Sequence, residues 1–211
     1  MITDGLTPFR LLLFLAVSGG TATAVLLCLV AVGLGRRAAA RRIALFALGG
    51  IGAYAALLLV ASLASHDRVL EPEAEKHICE VDCHLAYAVV RVKTTRVLEG
   101  RVARGAFYVV TVRVRFDEAT ISPRRGMAPL TPNSRYAALV DARGNRYETA
   151  TAELRRPLVP GQVDTLDLIF DVPPDARDLR LLLASDDAET RWVIGHENSP
   201  FHGKTAFRIS A

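Results

Sequence analysis

Residues 11–34 read LLLFLAVSGGTATAVLLCLVAVGL, and residues 43–64 read IALFALGGIGAYAALLLVASLA. Neither stretch contains Asp, Glu, Lys or Arg, and each exceeds the roughly 20 residues that an α-helix needs to cross a bilayer. They predict a transmembrane hairpin over residues 1–64. A cleaved signal peptide is the alternative for the first stretch, but its apolar run is longer than the roughly 7 to 15 residues typical of such peptides.

The connection between the two stretches, residues 35–42, reads GRRAAARR. Its four arginines are expected to stay in the cytoplasm, so that both termini and everything after residue 64 lie outside it. The formal net charge of +4 arises from Arg10 and this loop, less Asp4, and does not indicate a nucleic-acid partner. Arginine greatly outnumbers lysine, which is typical of high-GC bacterial genomes and suggests an inner (plasma) membrane.

After a polar tether at residues 65–76, the hydrophobic pattern becomes alternating. The clearest case is Phe107–Phe116, in which one face carries Tyr108, Val110, Val112, Val114 and Phe116. The opposite face carries Thr111, Arg113 and Arg115. Similar runs recur between turn signals such as Asp141–Asn145. Seven or eight short strands predict an all-β, immunoglobulin-like antiparallel sandwich over residues 77–211, outside the cytoplasm.

Four stretches carry a family resemblance: Phe107–Val114, Leu139–Tyr147, Pro157–Gly161 and Leu168–Pro173. With them the chain resembles the DUF4352 group of immunoglobulin-like domains, which are similar to the MPT63 fold. The resemblance covers roughly residues 85–185. It implies a fold and no enzymatic activity.

The stretch His77–His84, HICEVDCH, has the densest set of metal-ligand side chains in the chain. One interpretation is a disulfide between Cys79 and Cys83, which an extracytoplasmic environment permits. A second is a copper or zinc site that uses Cys79, Cys83, His84 and His202. Covalent haem at the two cysteines is a third alternative, and two free thiols are a fourth.

Two other parts of the sequence are candidates for contacts, and a third is a predicted loop. Small residues that favour helix packing, either between the two spans or with partner helices, are Gly19, Gly20, Gly49 and Gly52. The long loop at residues 117–134 is a candidate partner-binding surface with Arg124, Arg125 and Met127. The polar stretch Gly195–Lys204 is expected to be a loop before the last strand.

We find no defensible catalytic set in the sequence, and the chain is not expected to be an enzyme. The favoured hypothesis is a non-catalytic accessory or structural subunit of an inner-membrane complex, for example a respiratory or photosynthetic one. It would need no cofactor, and its partners would be the membrane and other membrane-protein subunits. The alternatives are a periplasmic metal-binding or redox module built on Cys79, Cys83 and His84, and a domain that binds a small ligand or an envelope component.

Overall fold

The computed structural model describes residues 2–3, 7–79, 83–120, 126–132, 136–149, 156–184 and 188–209. The chain forms two compact units, which are described separately below. The helical unit comprises residues 6–66 and 188–203. The sandwich unit comprises residues 1–5, 67–187 and 204–211.

Two long apolar helices form most of the helical unit. Helix α1 spans Pro8–Gly33 and helix α2 spans Arg37–Leu63. Helix α1 begins with Thr7 as N-cap, whose hydroxyl accepts a hydrogen bond from the Arg10 amide at 3.4 Å, and with Pro8 at its first position. By length and composition both helices are able to cross a membrane, a property that membrane anchors share with signal segments.

Residues 188–203, here called the docked segment, belong to the helical unit. The segment begins with the 3₁₀ turn Ala188–Trp192 and continues as a series of tight turns. The sequence predicts one sandwich domain over 77–211, whereas residues 188–203 group with the two helices. The reason is a set of hydrogen bonds to both helices, described below.

In the described part of the chain, ten strands form two five-stranded sheets. Sheet A has the spatial order β1 (Ile2–Thr3), β3 (Lys76–Ile78), β4 (Leu85–Leu98), β5 (Arg101–Phe116) and β8 (Val163–Val172). Sheet B has the order β2 (Arg68–Leu70), β10 (Thr205–Arg208), β9 (Arg180–Ala184), β6 (Tyr136–Val140) and β7 (Arg146–Glu148). The predicted sandwich is confirmed. It also contains two parallel pairs, β1 with β3 and β2 with β10.

The core of the sandwich follows the alternation seen in the sequence. From β5, the side chains of Val110, Val112, Val114 and Phe116 are at most 2% exposed. Phe170 in β8 and Phe207 in β10 are fully buried in the same cluster. Burial of these apolar faces against each other holds the two sheets together.

The predicted tether at residues 65–76 is not a free linker. It contains β2, which joins sheet B, and the first residue of β3, which joins sheet A. Strand β2 pairs in parallel with β10, and this ladder is extended by the Arg68 amide, which donates to the Lys204 carbonyl at 2.8 Å. The chain therefore enters the sandwich at Asp67.

Candidate functional site

The connection between β3 and β4 is closed by a disulfide between Cys79 and Cys83. The two Cα atoms are 4.2 Å apart, and Cys79 is buried. The disulfide interpretation is therefore confirmed. The metal and haem alternatives both need free sulfurs, which this oxidised state does not offer. Among the described residues no group of three or more His, Cys, Asp or Glu side chains is arranged to hold a metal ion.

The two histidines of the metal alternative have other surroundings. His84 is buried in the sandwich, its Nδ1 lies 2.6 Å from the Thr120 hydroxyl, and its ring stacks on Phe116 at 5.6 Å between centroids. His202 belongs to the docked segment, where its Nδ1 lies 2.7 Å from the Gly203 carbonyl oxygen. The copper or zinc site stays a prediction that concerns the reduced protein.

A polar cluster of Glu75, His77, Arg115 and Asp117 lies on the outer face of sheet A. Its position follows from strand register, because His77 in β3 is opposite Ala86 in β4, and Ala86 is opposite Arg115 in β5. The three residues share one face of the sheet, and the small Ala86 side chain lets the longer side chains meet across β4.

Arg115 is the centre of the polar cluster. Its guanidinium donates to both Glu75 carboxylate oxygens, at 3.0 and 2.6 Å, and lies 3.2 Å from Asp117 Oδ1. His77 Nε2 lies 3.1 Å from Asp117 Oδ2. His77 Nδ1 is buried, and in the described part of the chain it has no hydrogen-bond partner. A bidentate arginine of this kind fixes geometry as well as charge.

In the polar cluster, hydrogen bonds and ion pairs stabilise the charged forms of Glu75, Arg115 and Asp117. The hydrogen bonds that Arg115 donates to Glu75 lower the pKa of Glu75 below its ordinary value and raise the pKa of Arg115. Burial alone would raise the pKa of Asp117, but hydrogen bonds with His77 and Arg115 lower it. Both carboxylates pair with Arg115, so the polar cluster links the start of β3 to the end of β5.

Removing the disulfide is expected to destabilise the sandwich modestly. For so short a closed loop, the loss of chain entropy in the unfolded state corresponds to about 2 kcal/mol. Full-length Cys79→Ser/Cys83→Ser protein in detergent should unfold at lower urea concentration than wild type, as followed by circular dichroism. Cys28→Ser is the control, because Cys28 is the free cysteine and lies in α1. Equal midpoints for all three proteins would contradict the prediction.

The predicted Asp141–Asn145 turn is confirmed as the connection between β6 and β7. Asp141 organises this turn. One of its carboxylate oxygens accepts hydrogen bonds from the backbone N–H groups of Arg143 and Asn145, both at 2.9 Å. The other oxygen accepts from Asn145 Nδ2 and the Tyr147 hydroxyl, also both at 2.9 Å. Burial would raise the pKa of Asp141, but the hydrogen bonds from Asn145, Tyr147 and Arg143 outweigh it and lower the pKa to about 2.

Stability should therefore depend on the protonation of Asp141. Because its folded pKa is below the unfolded value of about 3.9, the carboxylate stabilises the fold fully above about pH 4, and this contribution falls toward pH 2. Urea unfolding of wild type and Asp141→Asn should show a constant stability difference from pH 7 to 5 that shrinks from pH 4 downward. A difference that is independent of pH would refute this assignment.

The structure places the predicted packing glycines away from any close contact. A Cβ atom built at Gly19, Gly20, Gly49 or Gly52 meets no heavy atom within 4 Å, the helix's own backbone excluded. These positions therefore do not mediate close approach of α1 to α2. Their alternative role, contact with partner helices, stays a prediction.

The predicted partner-binding loop is only partly described. Met127 is 66% exposed. Arg124 and Arg125 lie outside the described residues. Their role stays a prediction.

A feature that the sequence interpretation missed is the hairpin arm, residues 96–105. Strand β8 pairs with β5 only from Ala106 onward, so the arm consists of the outer parts of β4 and β5 alone. Its two-residue turn, Glu99-Gly100, has positive φ at both positions, 50° and 77°, as in a type I′ turn. The signal was this Glu-Gly pair between two strands much longer than the average of about 5 to 6 residues.

The hairpin arm exposes apolar side chains near its tip. Val97 and Val102 are directly opposite in register, and they are 56% and 77% exposed. Three arginines and one glutamate surround them in the sequence. Arg101 lies over the Phe107 ring at 5.9 Å, and Arg104 pairs with Asp171 at 3.2 Å. The arm is thus a basic surface with an apolar centre.

A cleft of about 290 Å³ is the feature relevant to the small-ligand alternative. It is lined by Val69, Asp178, Leu179, Arg180, Arg208 and Ile209. Its volume is at the lower limit of ligand pockets, which measure about 300 to 1,000 Å³. Ligand binding stays a prediction.

Comparison with known proteins adds a likeness of fold. No family model matches the chain, and no curated protein matches its sequence. The chain is similar to MPT63. This secreted protein from Mycobacterium tuberculosis is 12% identical, with a TM-score of 0.46, over 69% of this chain and 100% of MPT63. The yjhA protein from Bacillus subtilis is 13% identical, with a TM-score of 0.39, over 66% of this chain and 98% of that protein.

These likenesses carry no argument about activity. The fold assignment rests on the strands and their pairing. Membership of the DUF4352 group stays a prediction, because no family model matches.

Proposed function

We propose that the protein is a non-catalytic accessory subunit of a bacterial inner-membrane assembly, anchored by α1 and α2, with its sandwich outside the cytoplasm. The observation that carries this proposal is the hairpin arm. Exposed valines on a two-stranded projection cost free energy in water, and contact with another protein removes that cost.

The chemistry of the hairpin arm indicates the kind of partner. An apolar centre surrounded by charged side chains is the usual composition of a protein interface. Since the arm carries three arginines and one glutamate, the complementary surface is apolar at its centre and acidic at its rim.

The helices support the same proposal. Most large apolar side chains of α1 and α2 are exposed, as Leu26, Phe46 and Leu48 are at 61%, 83% and 64%. The open glycines on both helices are of the type that allows close approach of a partner helix in a bilayer. The four arginines of the connecting loop favour the orientation that puts the sandwich outside the cytoplasm.

A matched pair of variants tests the proposal. In the native host, wild-type protein extracted with a gentle detergent should migrate with a high-mass assembly on native gels. Val97→Ser/Val102→Ser should lose affinity about 100-fold, because two exposed valines contribute about 1.5 kcal/mol each when they are buried in a contact. The assembly band should then be strongly reduced.

Val163→Ser is the control, because Val163 is also an exposed strand valine, at 53%, but lies in β8. It should leave the assembly unchanged. Migration of the wild type as a monomer at every expression level would refute the accessory role. An assembly that is equally reduced by all the variants would refute the role of the hairpin arm.

A further inference from the structure

The docked segment buries several polar side chains. Thr190, His196, Glu197 and Ser199 are each at most 7% exposed, whereas Glu189 and Arg191 are exposed. Its aromatic residues are exposed, with Trp192 at 59% and Phe201 at 77%. A loop in water favours the opposite distribution, because buried polar groups need partners and exposed aromatic rings lose the benefit of burial. The two exposed rings are therefore suited to apolar surroundings.

Hydrogen bonds within the docked segment pair several of its buried polar groups. The Ser199 hydroxyl donates to the Val193 carbonyl at 2.6 Å. The Asn198 side chain donates through Nδ2 to the Thr190 hydroxyl at 2.9 Å. The Asn198 backbone N–H donates to His196 Nδ1 at 3.0 Å. Internal pairing of this kind is required of non-helical backbone where water is scarce.

Hydrogen bonds attach the docked segment to both helices and to Ser65, just after α2. Arg10 Nη1 donates to the Gly195 carbonyl at 3.0 Å, and the Tyr54 hydroxyl donates to the Trp192 carbonyl at 2.6 Å. The Gly203 amide donates to the Ser65 hydroxyl at 2.7 Å. Glycine is favoured at position 195, because its φ of 71° is a conformation that other residues rarely adopt.

One attachment point lies within α2 and another lies just beyond its end. Tyr54 is nine positions before Leu63, the last residue of α2, which corresponds to about 14 Å along a helix, and Ser65 follows the helix. Tyr54 lies inside the uncharged stretch 43–64. A peptide carbonyl beside this stretch in a bilayer would have no water to donate to it, so the Tyr54 hydroxyl supplies the hydrogen bond that Trp192 needs.

The backbone conformation of Phe201 also supports an apolar environment for this segment. Its φ is 64°, a left-handed conformation that is unfavourable for a bulky residue. In this conformation the ring is largely exposed. An apolar contact of the exposed Phe201 ring would offset the cost of this backbone strain.

We propose that the docked segment is inserted into the outer interface of the bilayer, with the Trp192 and Phe201 rings in contact with lipid. This inference rests on the membrane anchoring proposed above. Lipid is the occupant that the observations favour, because the segment is attached beside the apolar part of α2 and near the charged start of α1, where hydrocarbon meets headgroups. Tryptophan is enriched at that boundary.

Trp192 is the only tryptophan of the chain, so its fluorescence in the native full-length protein tests the proposal. The protein is reconstituted into phosphatidylethanolamine and phosphatidylglycerol vesicles that contain lipids brominated near either the glycerol end or the methyl end of the acyl chains. We expect strong quenching by the first lipid, weaker quenching by the second and little quenching by aqueous acrylamide. Full quenching by acrylamide, with no effect of either lipid, would overturn the proposal.

A second reporter separates this proposal from the membrane anchor itself. In Trp192→Phe/Leu26→Trp, the single tryptophan lies at an exposed position of α1. If brominated lipids quench this reporter but not Trp192 of the wild type, the anchor stands and the insertion of the docked segment is refuted. If they quench neither, both proposals fail.

Tyr54→Phe tests the attachment, because it keeps the ring and removes the donor. Loss of one hydrogen bond should raise the population with a detached segment about fivefold, seen as greater access of acrylamide to Trp192. Tyr108→Phe in β5 is the control and should leave access unchanged. If acrylamide had no more access to Trp192 in Tyr54→Phe than in wild type, the proposed attachment would be refuted.

Discussion

Replacing Lys76 with methionine is expected to lower the free energy of unfolding of the sandwich by about 4 kcal/mol. Lys76 lies in β3 and is fully buried. Its Nζ donates to the Leu183 carbonyl of β9 at 2.8 Å and to the Thr205 carbonyl of β10 at 3.1 Å. One ammonium group therefore links sheet A to two strands of sheet B. Methionine has a similar length, but it leaves both carbonyls without this donor.

Urea unfolding of the full-length protein in detergent, followed by circular dichroism, measures this effect. Lys93→Met is the control, because Lys93 is exposed in β4. It should leave the midpoint nearly unchanged. An unchanged midpoint for Lys76→Met would contradict the prediction. It would mean that the cost of burying the ammonium group equals what its hydrogen bonds contribute.

Gly105→Val should be the second most damaging substitution, with a loss of about 3 kcal/mol. A Cβ atom at Gly105 would lie 2.5 Å from Pro174 N, 2.6 Å from the Val172 oxygen and 2.7 Å from the Pro173 carbonyl carbon. All three are backbone atoms, so no side-chain rotation relieves the overlap. Strand β5 and the end of β8 would have to separate where the hairpin arm begins.

The matched control for Gly105→Val is Ala103→Val, two positions away on the same strand and within the hairpin arm. It adds the same kind of side chain at a half-buried position. Thermal unfolding in detergent should show a much lower midpoint for Gly105→Val than for Ala103→Val. Similar midpoints would mean that the backbone adjusts at little cost.

Much of the fold follows from periodicity that is visible in the sequence. The uncharged stretches within α1 and α2 are long enough to leave few alternatives to helices. The alternation in Phe107–Phe116 identifies both the strand and its buried face, and Asp141–Asn145 identifies a turn through its own side-chain chemistry. In each case the information is local, within one element.

The features that the sequence did not reveal depend on distant partners. The docked segment consists largely of polar residues and turn formers, which locally indicate a solvated loop. Its position depends on Arg10 and Tyr54, which are 185 and 138 residues away from the carbonyls they bind. Strands β1 and β2 have two and three residues, too few to show a period. Lys76 likewise belongs to a stretch whose polarity suggests a linker.

The bond between Cys79 and Cys83 also makes the chain its own topology reporter. These two sulfurs become oxidised where the compartment permits it, whereas cytosolic thiol buffers keep such pairs reduced. Cys28, a free thiol in α1, is an internal reference on the same polypeptide. Counting alkylated cysteines on protein taken directly from cells therefore records, without any fusion tag, on which side of the lipid barrier the β-domain matured.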